Sequence, residues 1–113
     1  MKCDLEERGG VSVLVVSGNI TLGVCEQLGE SVDTLLASGR NRILLDLADV
    51  EYMDSAGIGE LVASHRTVAR FGGALKILRP SQKVQDSLAL TQLLPVFEIF
   101  DDDQAAVDSF PAG

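Results

Sequence analysis

The chain has 113 residues and a formal net charge of -8 at pH 7, a length suited to one domain over residues 1–113. Hydrophobic residues make up 46% of it, with four Phe, one Tyr and no Trp, so its core must be aliphatic. The acidic balance repels phosphate backbones and argues against nucleic-acid and anionic-membrane binding.

Charge is unevenly spread. Asp101, Asp102 and Asp103 cluster near the C-terminus, while Arg40, Arg42, Arg66, Arg70, Lys76, Arg79 and Lys83 occupy the middle, which leaves room for a local basic patch. Cys3 and Cys25 lack metal-ligand spacing, and His65 is the only histidine, so no metal or other cofactor is expected. Met1 to Glu7 already carries four charges, unlike a secretion signal, and no apolar run approaches the ~20 residues of a membrane span. These features predict a soluble, cytoplasmic protein with reduced thiols.

In chain order, residues 2–8 and 11–17 read as strands joined by Gly9-Gly10, a pair suited to the positive φ angles of a tight hairpin. The segment VSVLVVSG is apolar on both faces, as a central strand requires, and Asn19-Ile20-Thr21 follows it. Residues 24–38 read as a helix with Cys25, Leu28, Val32, Leu35 and Leu36 as its apolar stripe and Gly39 as its stop. Residues 42–47 read as a strand buried on both faces. A second helix is predicted over 57–71, with Ile58, Leu61, Val62, His65, Val68 and Ala69 on one face. Strand 74–78, helix 81–92, strand 96–100 and a closing helix after the three aspartates complete the pattern. A hairpin followed by alternating units predicts an α/β fold with a mixed sheet of mainly parallel crossovers and about four helices.

The most informative stretch is VEYMDSAGIGELV, residues 50–62. It leaves the buried strand and enters the second helix. Ser55 suits an N-cap, since its hydroxyl can satisfy an unpaired backbone N–H. Asp54 suits the positive end of the helix dipole. Gly57 and Gly59 each cost ~1 kcal/mol in a helix relative to Ala, so they imply close approach by a neighbouring element or another molecule. A serine-hydrolase elbow needs Gly two residues before the nucleophile, and Met53 stands there. A phosphate-binding loop needs Gly-Lys-Ser/Thr, which is missing. An enzyme is therefore not expected.

DSAGIGELV after ILLDLADVEYM resembles the signature of STAS domains, specifically bacterial anti-sigma factor antagonists. The resemblance extends over VLVVSGNITLG, LLASGR, GGALKIL and VFEIFDDDQAAV, in the family's order and over nearly the whole chain. It implies that Ser55 is a phosphoacceptor, with Asp54, Gly57 and Gly59 as motif neighbours. It implies an anti-sigma factor that is also a serine-protein kinase as partner, a serine phosphatase that resets the switch, and a sigma factor released by the unphosphorylated form. Asn19, Thr21, Tyr52 and Glu60 are the expected partner contacts beside the motif. Two departures stand out: Ala56 follows Ser55 where many members have Ser or Thr, and Asn19-Ile20-Thr21 replaces a loop that is often acidic. Two other readings stay open here, a sensor of a nucleotide or small anion at the helix start, and a structural subunit of a larger regulatory or transporter assembly.

Overall fold

The computed structural model describes residues 1–111. Strands β1 (Lys2–Arg8) and β2 (Val11–Ser17) form the hairpin, and Gly9 and Gly10 hold φ of 57° and 80° at its turn. Helix α1 (Glu26–Ala37), strand β3 (Arg42–Asp49), helix α2 (Ser55–Arg70), strand β4 (Ala74–Leu78) and helix α3 (Gln82–Leu90) follow. A short 3₁₀ turn (Leu94–Val96), strand β5 (Ile99–Phe100) and helix α4 (Asp103–Asp108) complete the described fold.

The sheet order is β1-β2-β3-β4-β5, with β1 antiparallel to β2 and every later pair parallel. Parallel crossovers are right-handed, and stepping in one direction across the sheet puts successive helices on the same face. The larger core accordingly joins Leu28, Val32 and Leu35 of α1, Leu61 and Val68 of α2, and Val84 and Leu88 of α3 to Leu14, Leu45 and Ile77 of the sheet. A smaller core on the other face joins Val11, Val13, Leu44 and Leu78 to Ala106 and Phe110. Residues 43–47 are all buried, as expected for a strand covered on both sides.

Several boundaries differ from the sequence reading for local reasons. The predicted last strand 96–100 is only two residues long, because Pro95 lies in the 3₁₀ turn that occupies 94–96. Helix α2 begins at Ser55 rather than residue 57. On its inner face Ala69 is exposed and Ser64 is buried instead. His65 is half-buried and meets the Phe97 ring edge-on at 5.1 Å.

Three of the seven mid-chain cations, Arg40, Lys76 and Arg79, are held in ion pairs. Arg79 bonds Asp46 at 2.8 Å and Asp103 at 2.8 Å, and Arg40 pairs with Glu7. Lys76 is buried, 2.9 Å from Glu98 and 4.6 Å from the centre of the Phe110 ring. The Arg79–Asp103 and Lys76–Glu98 contacts tie α4 and the approach to β5 to the sheet.

Candidate functional site

The site lies where the loops after β2 and β3 leave the same end of the sheet. The two strands are parallel neighbours, so their C-terminal loops emerge side by side. Backbone bonds extend the pairing past the strands: Ile20 N–H donates to the Tyr52 carbonyl at 3.1 Å, and Ile20 and Met53 form a parallel bridge. Ile20 and Met53 are both buried, which pins the loops from below.

Asp54 locks this junction. Its Oδ1 accepts from Gly57 N–H at 2.9 Å and caps α2. Its Oδ2 accepts from Leu22 N–H at 2.9 Å and so bridges to the loop after β2. These backbone donors, Leu22 first and Gly57 second, hold the Asp54 carboxyl below its ordinary value. A lowered value means that Asp54 stabilises the fold above the ordinary Asp range, and that this contribution is lost as pH falls through the folded-state value. Asp54→Asn is expected to lower stability at neutral pH and to flatten its decline below roughly pH 5. Urea unfolding across pH checks this, and a decline parallel to wild type would remove Asp54 from the acid response.

Ser55 is therefore not the cap. It is the first residue of α2 and is exposed. Asp54 does the capping that the sequence allowed for either residue. The two motif glycines also separate. A Cβ on Gly57 would fall inside the contact distance of the Ile20 carbonyl oxygen and within 2.8 Å of its carbon. Gly57 thus lets α2 rest on the loop after β2. A Cβ on Gly59 would meet nothing within 4 Å.

The remaining predicted residues fall around this point. Asn19 and Tyr52 are exposed, and Thr21 is half-buried, its carbonyl accepting from Val24 and Cys25 N–H at 3.1 and 2.8 Å. Glu60 is half-buried and turns toward α1, its carboxyl carbon 3.2 Å from where a Gly29 Cβ would lie. It therefore borders the exposed turn rather than projecting from it. Burial pushes the Cys25 thiol up, and the nearby Glu26, Glu60 and Asp54 carboxylates push it further. Leu22, 78% exposed beside Asp54, was not singled out from sequence. An apolar residue outside both the β2 pattern and the α1 stripe was the available signal.

The chain matches the STAS domain model over residues 2–106. An anti-sigma factor antagonist of Thermotoga maritima is 34% identical over 76 residues, 67% of each chain. The anti-sigma-B factor antagonist of Bacillus subtilis is 30% identical over 84 residues, 74% of this chain and 76% of the relative. Among solved structures, the Thermotoga maritima antagonist TM1081 superposes with a TM-score of 0.88 at 27% identity, covering 96% of this chain and 93% of that one. The Bacillus protein SpoIIAA in its phosphorylated form shares the fold, with a TM-score of 0.72 at 21% identity over 95% of this chain and 97% of that one. With its hairpin-led mixed sheet and its Asp-Ser turn at the head of α2, the chain belongs to the STAS domain family of bacterial anti-sigma factor antagonists.

Proposed function

We propose that this STAS domain, spanning residues 1–113 in the cytoplasm, is a protein-binding switch set by phosphorylation of Ser55. Unphosphorylated, it binds an anti-sigma factor that is also a serine-protein kinase and so frees a sigma factor. Phosphate on Ser55 ends that binding, and a serine phosphatase restores it. The supporting observation is the division of roles at the head of α2. Asp54 supplies the cap and the loop bridge, which leaves the exposed Ser55 hydroxyl without a structural task there. The relatives' names, anti-sigma factor antagonists, and the phosphorylated form of SpoIIAA support the same reading.

The chain supplies the acceptor and a docking surface, and the partner supplies the chemistry. His65 lies ten residues along α2 from Ser55, about 15 Å of helix rise away, and packs on Phe97. It is too distant to act as a base for Ser55.

Ser55→Ala is expected to abolish phosphate incorporation from ATP by the cognate kinase. Its stability should stay within about 0.5 kcal/mol of wild type, the usual range for an exposed change away from a cap. Mass spectrometry and thermal unfolding read the two effects. Incorporation at the wild-type rate would place the acceptor elsewhere.

A further inference from the structure

Arg42 stands at the opposite end of the sheet from Ser55. It opens β3 and pairs in register with Ala74 at the start of β4, where the parallel strands begin. Most cations of this acidic chain have carboxylate partners: Lys2, Arg8, Arg40, Lys76 and Arg79 are all paired. Among the described residues, Arg42, Arg66, Arg70 and Lys83 are not. Arg66, Arg70 and Lys83 are exposed to water, whereas Arg42 is half-buried. The chain has 17 acidic residues, yet it leaves this partly desolvated guanidinium without a carboxylate.

The guanidinium is also held in place. Its Nη1 donates to the Pro111 carbonyl at 3.1 Å, and its Nη2 lies 3.4 Å from where a Cβ on Gly10 of the hairpin turn would stand. Among the described residues, most of its N–H donors stay uncommitted. Beside it opens a cleft of about 340 Å³, within the size range of small-ligand sites. Phe110, Ala74 and the side-chain-free backbone of Gly72 and Gly73 form its other walls. Gly73 must stay bare, because the Asn41 carbonyl fills the place of a Cβ, and Gly72 holds a φ of 75°. A flat group can therefore approach this wall closely.

We propose that the cleft binds a small organic anion. A carboxylate or phosphate takes the free donors of Arg42, whose planar fork matches the paired oxygens of either group. A flat apolar body lies against Phe110, Ala74 and the glycine backbone. The site is separate from the Ser55 turn and does not depend on partner docking.

Benzoate and phenyl phosphate, titrated into isotope-labelled protein, test this, with sodium chloride at matched ionic strength as control. At least one probe should shift the backbone amides of residues 41–42 and 72–74 along a saturable curve, while those of residues 52–60 stay in place. Arg42→Gln should weaken that binding about tenfold or more, the effect of losing a charge-assisted contact. Shifts that never saturate, or that fall equally on the exposed Arg66 and Arg70, would overturn the proposal. So would an Arg42→Gln protein that binds like wild type. Should that variant fail to fold, the wild-type map decides alone: amides of 41–42 and 72–74 that respond to neither probe would end the proposal.

Discussion

Gly57→Ala is expected to destabilise the protein by about 3 kcal/mol, the upper part of the range for overpacking against a fixed neighbour. Helix propensity alone predicts the opposite sign, a gain of ~1 kcal/mol for Gly to Ala. The steric term decides because the obstacle is backbone. The Ile20 carbonyl lies where the new methyl would go, and it already accepts from Asp54 N–H at 3.4 Å. Ile20 cannot retreat easily, since its buried side chain and its N–H bond to Tyr52 hold it. Relief must come from α2 moving away, which pulls Asp54 off Leu22. Partner binding should therefore be lost with stability. Denaturant unfolding gives the first quantity and calorimetry the second. A Gly57→Ala protein as stable as wild type would mean that the loop after β2 yields freely, and the account of the site as a rigid junction would be wrong.

Phosphorylation of Ser55 is expected to abolish tight docking while leaving the fold unchanged. The phosphate adds about -1.5 to -2 charges at pH 7. A helix start ordinarily attracts such an anion. Here the Asp54 carboxylate already engages the N–H groups of Leu22 and Gly57. The phosphate is thus left in solvent on the exposed face of the helix start. Docking would require stripping water from a dianion in a close-packed centre, which is unfavourable by several kcal/mol. The loss should appear chiefly in the dissociation rate, where most affinity differences between related complexes lie. Backbone chemical shifts should change only around residues 52–60 and in the adjoining loop at 19–22. Shift changes reaching the β1–β2 hairpin or α4 would instead require an allosteric mechanism, as would a large shift in thermal midpoint.

Order and type of the elements were legible in the sequence because they follow from local chemistry. The apolar stripe of α1, the continuous burial of residues 43–47 and the Gly9-Gly10 turn each depend on residues close in the chain. The Asp-Ser-x-Gly-x-Gly stretch could likewise be found as unusual, since two glycines so close to a helix start run against helix propensity. What each of its residues does could not be found that way. Ser55 and Asp54 are both good caps, and only the loop after β2, some thirty residues earlier, decides between them: Leu22 N–H lies within reach of Asp54 Oδ2. The same loop distinguishes the glycines, because the Ile20 carbonyl fills the space beside Gly57 and nothing fills the space beside Gly59. Ala69, apolar and in phase with the stripe, turned out exposed, while Ser64 was buried, because the neighbours of α2 cover only part of its circumference. Sequence by itself determined the strands, the helices and the position of the motif, all set by spacing along one chain. Tertiary structure alone decided which motif residues hold the fold and which face outward, because that depends on parallel β2 and β3 bringing two distant loops to one end of the sheet.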